Sequence, residues 1–141
     1  MNIRAIACLA VVLVLALASG GCQIVLWSWP AGEPVPNVLG VWQGTWMVIP
    51  PLPMRVVITD QDGTTVAGIV TYEQPSGAIS TGIRGQFGIR NGERVLLMAV
   101  ARLDRTDDLE FRTIEPHRLE GAGRGSGLGG QQGPLTLERQ R

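Results

Sequence analysis

The stretch Gly82–Arg90, which reads Gly-Ile-Arg-Gly-Gln-Phe-Gly-Ile-Arg and is followed directly by Asn91-Gly92, decides the fold class. Ile83, Phe87 and Ile89 fall on one face of this stretch, and arginine and glutamine fall on the other. This period of two is typical of a half-buried β-strand. The Asn-Gly pair favours a type I′ turn, because both of its central residues need positive φ. The stretch therefore predicts a β-hairpin.

The same pattern of short alternating runs and turn residues continues through the chain from Val38, without a helical period. It predicts eight strands: Val41–Val48, Arg55–Thr59, Thr65–Tyr72, Gly82–Arg90, Arg94–Ala101, Leu109–Ile114, His117–Gly123 and Pro134–Glu138. Eight short strands joined by hairpins predict an all-β domain, an eight-stranded antiparallel up-and-down β-barrel. The alternative is a two-sheet β-sandwich, because connection lengths alone do not separate the two.

The alternation also predicts which side chains face the interior. The large ones are Trp42, Trp46, Tyr72, Phe87 and Phe111, accompanied by Val70, Ile83, Ile89, Leu97, Leu119 and Leu137. Two interpretations stay open, because a barrel of eight strands is just wide enough either to be filled by side chains or to hold one small ligand. In the second interpretation these aromatic residues bind a small apolar molecule, and Tyr72 or His117 is the polar group that orients it.

One predicted strand departs from simple alternation. The run Val95–Ala101 is apolar on both faces, which is typical of a strand that is covered on both sides. A second protein surface would provide such cover. The pattern therefore predicts an interaction surface centred on Leu96, Met98 and Val100.

The N-terminus has the features of an export signal. Arg4 precedes the uncharged run Ala5–Ala18, which is too short to span a bilayer by itself. Ala16-Leu17-Ala18 matches the A-x-A site of the general signal peptidase. Ser19-Gly20-Gly21-Cys22 resembles the lipobox of bacterial lipoproteins, and that resemblance implies that Cys22 becomes the lipidated first residue.

Cysteine usage fits this resemblance, since Cys8 and Cys22 are the only cysteines and removal of the signal leaves one lone thiol. The predicted organisation is a signal peptide over residues 1–21, a tether over 22–37 and a barrel domain over 38–141. Plain secretion after Ala18 and an uncleaved membrane anchor are the alternatives. The tether is interpreted as an extended linker, or as a segment whose Trp27 and Trp29 lie at a membrane interface.

Composition and motifs exclude several classes of function. The 141 residues include twelve basic residues, all arginine, and twelve acidic ones, and this neutral balance argues against nucleic acid as a partner. One histidine without a nucleophile motif predicts no enzyme, and one histidine without spare cysteines predicts no metal site. Gly125–Gly130 matches G-x-G-x-x-G, but it joins two predicted strands, so no dinucleotide or other cofactor is predicted. Asp104, Asp107 and Asp108 are interpreted as a solvated acidic turn.

Two G-x-W motifs, Gly40-Val41-Trp42 and Gly44-Thr45-Trp46, open the first strand. With Gly63–Tyr72 and the C-terminal Gly-Pro-Leu-Thr-Leu-Glu-Arg-Gln-Arg, they resemble the small calycin-like barrels of the lipocalin and avidin type. That resemblance implies a non-enzymatic module that binds a small apolar ligand, here exported and lipid-anchored in a bacterial cell envelope. The alternative is an envelope interaction or inhibitor lipoprotein with a solid barrel, which acts through contacts with a protein partner.

Overall fold

The computed structural model describes residues 28–103, 105–126 and 130–141. It contains eight strands: β1 (Gly40–Trp46), β2 (Leu52–Asp62), β3 (Thr65–Gln74), β4 (Gly77–Arg90), β5 (Glu93–Ala101), β6 (Thr106–Ile114), β7 (Arg118–Gly125) and β8 (Gln132–Arg139). Each strand pairs antiparallel with the next, and β1 pairs with β8 to close the barrel. The predicted up-and-down barrel is confirmed. The predicted signal peptide, Cys22 and Trp27 lie outside the described residues.

The hairpin that decided the fold class forms as predicted. Asn91 and Gly92 have φ values of 52° and 78°, the positive values that a type I′ turn requires. The turn pairs Arg90 with Glu93 and consequently places Phe87 opposite Leu96. A two-residue turn therefore sets the register between β4 and β5 over their whole length.

Several strands are longer than their sequence pattern predicts. β2 extends three residues beyond the predicted Arg55–Thr59 at each end. Residues 73–81 were expected to form a loop, but β4 begins at Gly77, so that only Pro75 and Ser76 separate it from β3. The stretch from Ile79 to Thr81 contains residues that favour strands, and this outweighs the single glycine before it. Likewise β6 begins at Thr106 rather than Leu109, which brings part of the expected acidic turn into the barrel wall.

Glycines allow close approach at several places in the barrel wall, and two of them act on β1. A Cβ atom at Gly44 would lie 1.8 Å from the carbonyl oxygen of Thr136, so β1 and β8 approach each other only because that atom is absent. A Cβ atom at Gly123 would lie 2.6 Å from Cε2 of Trp46. Glycine on β7 thus makes room for the largest side chain of β1.

The barrel has two different ends. At one, called the closed end, the turns β2–β3, β4–β5 and β6–β7 meet residues 28–39, called the strap. At the other, called the mouth, the connections β1–β2, β3–β4, β5–β6 and β7–β8 meet. None of the described residues belongs to a helix long and apolar enough to cross a membrane.

The strap packs across the closed end. The indole ring of Trp29 lies edge-on against Phe87 with ring centroids 5.6 Å apart, and Val38 is buried in the core. The Gln61 side chain donates to the Pro36 carbonyl at 2.8 Å and accepts from the Val38 amide at 3.0 Å. The part of the predicted tether that the structure describes is therefore packed against the barrel.

Candidate ligand site at the mouth

The predicted aromatic residues meet inside the barrel and fill it. Trp42, Trp46, Tyr72, Phe87 and Phe111 all lie in the core, and each has 0% of its surface exposed. Zero exposure means that no space as large as a water molecule adjoins these side chains. Their inward orientation is confirmed, while their contact with a ligand stays a prediction. In this structure they pack as a solid core.

His117 lies outside the barrel, so its expected position as a polar group beside an interior ligand is wrong. It follows the end of β6 at the closed end, its side chain is 79% exposed, and its Nε2 atom lies 3.9 Å from Oε2 of Glu115. The mouth, where the Tyr72 hydroxyl lies, is at the other end of the barrel. The prediction failed because His117 was assigned to a strand, whereas β7 begins only at Arg118.

Leu96, Met98 and Val100 were expected to form an interaction surface, and this expectation is wrong because all three are fully buried in the core. It is Leu97 that faces outward, half-buried. Because every residue of this run is apolar, the run by itself does not show which of its side chains face inward. The β4–β5 turn does show it, because residues opposite each other on neighbouring strands lie on the same face of the sheet, and Phe87 lies opposite Leu96.

A charged cluster lies beneath the mouth. Asp107, on β6, is 0% exposed, and its Oδ2 atom accepts a hydrogen bond from the Tyr72 hydroxyl at 3.0 Å. Arg105 places Nε 3.1 Å from Oδ1 of Asp107, and Arg102 places Nη1 3.6 Å from Oδ2. The Arg102 guanidinium also lies over the Tyr72 ring, 5.1 Å from its centroid. The interpretation of Asp107 as part of a solvated turn is thus wrong.

The sequence does contain a signal for this burial. Asp107 precedes Leu109 by two positions and Phe111 by four, so in a strand its side chain lies on the same face as theirs. Both of those residues face the core. An acid in phase with inward residues is expected to be buried and to need a cationic partner. Arg102 and Arg105 precede it in sequence by five and two positions and provide that partner.

Burial and the nearby carboxylate also change the acidity of Tyr72. Loss of contact with water raises the pKa of its hydroxyl well above the ordinary value, and the negative charge of Asp107 raises it further. Tyr72 therefore stays neutral and keeps donating its proton to Asp107 through the usual alkaline range. The cluster below the mouth consists of one carboxylate, two guanidinium groups and a neutral phenol.

A cavity of about 520 Å³ lies at the mouth, directly above this cluster. Arg102 and Arg105 line it, and their side chains are 11% and 19% exposed. The other lining residues come from the β1–β2, β3–β4 and β7–β8 connections: Pro50, Pro51, Leu52, Pro53, Glu73, Gln74, Pro75, Ser76 and Gln131. Apolar walls with a few converging polar groups are typical of small-molecule sites, and the volume is in their usual range.

Large apolar side chains project from the rim of the mouth. Ile49, in the β1–β2 connection, is 93% exposed, and Leu103, in the β5–β6 connection, is fully exposed. Met47 beside the first of these connections is more than half exposed.

A groove at the closed end is larger, about 800 Å³, and is formed by the strap against β4, β5 and β6. Trp29, Pro36, Ile89 and Arg94 are among the residues that line it. Arg94 lies over the Trp29 ring at 5.8 Å and pairs with Glu33, so the charge in this groove already has a partner. Across the described residues, no three His, Cys, Asp or Glu side chains are grouped closely enough to hold a metal ion.

Comparison with known proteins bears on the fold. No protein-family model matches this chain. No curated protein matches it either. A solved structure described as "Structure of EF1p2_mFAP2b bound to DFHBI" is similar over 73% of this chain and 94% of its own, with a TM-score of 0.54 and 13% identity. At that identity the likeness concerns the fold alone, and together with the strand order it fits the calycin-like barrel that the G-x-W motifs predict.

Proposed function

We propose that this protein is a non-enzymatic binding module of a bacterial cell envelope, exported and lipid-anchored through Cys22. In this proposal it takes a small ligand with an apolar body at the mouth of its barrel. The observation that carries the proposal is the mouth cavity, with proline and leucine walls above two converging arginines. The solved structure of similar fold is described as bound to DFHBI, which supports the choice of a ligand-binding role for a barrel of this shape.

The ligand is assigned to the mouth rather than to the interior or the closed end. The core aromatic side chains have no exposed surface, so an interior ligand would have to displace them. At the closed end the strap packs on the core with Trp29 against Phe87, and the Arg94 charge in the groove beside it is paired with Glu33. At the mouth the cavity is lined by Arg102 and Arg105, whose side chains are only 11% and 19% exposed.

The anchor and the mouth are expected at opposite ends. Ser28 begins the strap and follows Cys22 by six positions, a length of chain that spans at most about 20 Å. A lipid on Cys22 would therefore hold the closed end towards the membrane. The mouth would then face away from the membrane, where it meets solutes.

The lipid anchor is tested by labelling cells with a radioactive fatty acid. We expect label on the wild-type protein and none on Cys22→Ala. Label that persists in Cys22→Ala, or no label on the wild type, would refute the anchor without affecting the ligand proposal.

The ligand is tested by native mass spectrometry of the protein exported into a bacterial envelope. We expect a stoichiometric added mass that denaturation releases, and we expect Leu52→Asp, which places a charge in the wall of the cavity, to abolish it. Asp62→Asn, at the closed end, is the matched control and is expected to retain the added mass. An added mass that survives Leu52→Asp would place the ligand elsewhere.

The exposed rim favours one second candidate function. A solid barrel with Ile49 and Leu103 at its rim suits an interaction or inhibitor protein that binds a partner in the envelope. The double variant Ile49→Asp, Leu103→Asp separates the candidates in a pull-down from envelope extracts. Loss of a specific partner with the small-molecule mass unchanged would favour this candidate over the first.

A further inference from the structure

The hairpin of β3 and β4 extends beyond the barrel wall at the mouth. On one side of β4, residues 77–86 pair with β3. On its other side the ladder to β5 begins only at Ile83, which lies opposite Val100. No described residue forms a strand ladder with residues 77–81 on that side. The closed barrel therefore keeps a free strand edge at residues 77–81, called the hairpin edge.

The hydrogen-bonding direction along β4 identifies which backbone groups of the hairpin edge are free. The Phe87 amide donates to the Thr64 carbonyl at 2.8 Å, so the backbone polar groups of Phe87 point towards β3. In an antiparallel ladder this direction alternates from one residue to the next, and the β3–β4 register has no bulge. The N–H and C=O groups of Ala78 and Ser80 therefore point away from β3, to the side on which β5 is absent.

The hairpin edge has none of the features that usually protect a free edge from pairing. Such protection comes from charged residues, proline or a bulge. Residues 77–81 read Gly-Ala-Ile-Ser-Thr, without charge or proline. Ile79 is 39% exposed, and the fully exposed Leu103 lies in the connection that follows β5, on the side of the hairpin edge. Free backbone groups beside exposed apolar side chains favour the addition of a further strand.

The backbone groups of the hairpin edge are complementary to those of a second copy. Two copies related by a two-fold axis at Ile79 would pair antiparallel, with Ala78 of each copy opposite Ser80 of the other. Both members of such a pair direct their N–H and C=O groups at each other, so each pair exchanges both backbone hydrogen bonds. A shift by one residue would set a group that points at the partner opposite one that points away.

Side chains at the centre of this pairing are also compatible with a second copy. Ile79 would lie opposite its own copy, between two hydrogen-bonded pairs, where the Cα atoms are about 4.5 Å apart and the side chains touch. That contact removes exposed apolar surface from water. Two-fold pairing sets any charge near the centre close to its own copy, which is destabilising, but the hairpin edge carries no charge.

We infer that the hairpin edge is a self-association surface, at which β4 of one copy pairs with β4 of a second copy of this chain through residues 77–81. This inference goes beyond the proposed ligand-binding function and does not depend on it. Five residues a side is far fewer than the about 20–30 of a standard interface, so the dimer is expected to form and dissociate readily. A covalent trap is therefore the suitable measurement.

The test places a cysteine at the centre of the pairing. Ile79→Cys brings two thiols to a Cα separation of about 4.5 Å, which a disulfide can span. Intact cells that produce the full chain are oxidised with copper phenanthroline, and linked dimer is measured on non-reducing gels. We expect Ile79→Cys to give at least about tenfold more dimer than Ile69→Cys, because pairing raises the effective concentration of the thiols.

Two controls belong to this comparison. Ile69, on β3, is 49% exposed, so Ile69→Cys measures the dimer that collision alone produces at similar exposure. The wild-type chain measures any dimer that its native Cys8 and Cys22 produce.

The register is tested with cysteines on either side of the centre. Ala78→Cys alone, or Ser80→Cys alone, places its two thiols more than about 7 Å apart, which is too far for a disulfide. When the two variants are produced together, their cysteines lie opposite each other at about 5.5 Å. We expect linked dimer from the mixture and none above the Ile69→Cys level from either variant alone.

The backbone hydrogen bonds are tested in the Ile79→Cys chain. Ser80→Pro removes an N–H that points away from β3, and an edge strand tolerates proline at such a position. We expect it to reduce the linked dimer to the level of Ile69→Cys. Ser80→Ala is the matched control, because it also removes the hydroxyl that bonds to Thr71 but keeps the N–H. Its dimer is expected to persist.

The outcomes separate a second copy from other partners. Equal amounts of dimer from Ile79→Cys and Ile69→Cys would overturn the inference. A disulfide between the Ile79→Cys chain and a different protein, in place of the dimer, would overturn the second copy as the partner. Dimer that persists with Ser80→Pro would overturn pairing through the backbone. If Ser80→Pro does not fold, the comparison of Ile79→Cys with Ile69→Cys decides alone.

Discussion

At the closed end of the barrel, the strap covers the core and its ion pair between Glu33 and Arg94 lies near the surface, whereas at the mouth the chain places a buried carboxylate and two arginines beneath a cavity. The strap at the closed end is held by the Gln61 amide and by Trp29 packed on Phe87. The cluster at the mouth is held by Asp107, towards which both arginines and Tyr72 converge.

The difference bears on the proposed ligand site. Covering a barrel end with side-chain hydrogen bonds and an aromatic ring stabilises that end. Burying a charged cluster is a costly way to close an end, because desolvation offsets most of the Coulomb attraction. The proposed ligand site would account for a costly arrangement beside a cavity.

The largest effect is expected from removing the carboxylate at the mouth. Asp107→Asn leaves two largely buried guanidinium groups without a counter-charge, and breaking a buried ion pair on one side typically costs about 3–5 kcal/mol. We expect a loss of that size in the free energy of unfolding, measured with urea. Asp108→Asn, the next residue on β6 with an outward side chain, is the matched control. Its expected loss is about 0–1 kcal/mol. Equal losses in the two variants would show that the mouth cluster has no special energetic role.

The Tyr72 hydroxyl is expected to contribute less, and in a pH-dependent way. Tyr72→Phe removes a hydrogen bond to a charged acceptor, which is worth about 1.5–3 kcal/mol. Folding raises the pKa of Tyr72, so the folded chain holds this proton more tightly than the unfolded chain does. The contribution is therefore fully present below about pH 10, the pKa of an unperturbed tyrosine, and decreases as the pH rises above it.

The measurement is urea unfolding of the wild type and Tyr72→Phe between neutral pH and pH 11. We expect the gap in unfolding free energy between them to be constant up to about pH 10 and to narrow above it. A gap that widens with pH would contradict the assignment of Tyr72 as a proton donor to Asp107.

The barrel was predictable from the sequence because its signals are local. Alternation with a period of two and the Asn91-Gly92 turn define strands and a hairpin without knowledge of the rest of the chain. The burial of Trp42 and Trp46 follows from the same alternation. Strand ends were less accurate, because glycine and acidic residues near Gly77 and Thr106 looked like turns.

The contact between Tyr72 and the mouth cluster was not predicted because its two partners are distant in sequence. Tyr72 and Asp107 are 35 positions apart and meet only when β3 and β6 lie in the same barrel. The strap was missed for the same reason, since Gln61 contacts residues 23 and 25 positions away. Local sequence patterns determine the strands and turns, whereas the contacts that distinguish the two ends form only when the barrel closes.

A smaller effect is expected from loosening the strap. Gln61→Ala removes two hydrogen bonds that fix the strap to β2, and their combined loss is expected to cost about 1–2 kcal/mol of unfolding free energy. The amide of Val38 should then exchange its hydrogen faster, while amides around the mouth should not change. Gln86→Ala, with an exposed side chain on β4, is the matched control. Faster exchange at both ends would show that the two ends are coupled rather than independent.

The smallest effect is expected at the β4–β5 turn of the closed end. Asn91 has a φ of 52°, which lies in the left-handed region. This backbone conformation costs a residue with an ordinary side chain about 1 kcal/mol or slightly more. Asn91→Ala should lower the unfolding free energy by about that amount, whereas Asn91→Gly should change it by only a few tenths of a kcal/mol.

This turn also sets the register that places Leu96 against Phe87. A register error in Asn91→Ala would therefore expose Leu96 and be detected as protein aggregation. If Asn91→Ala and Asn91→Gly are equally stable, the positive φ at this position does not control the hairpin, and the register must instead come from the packing of Phe87 in the core.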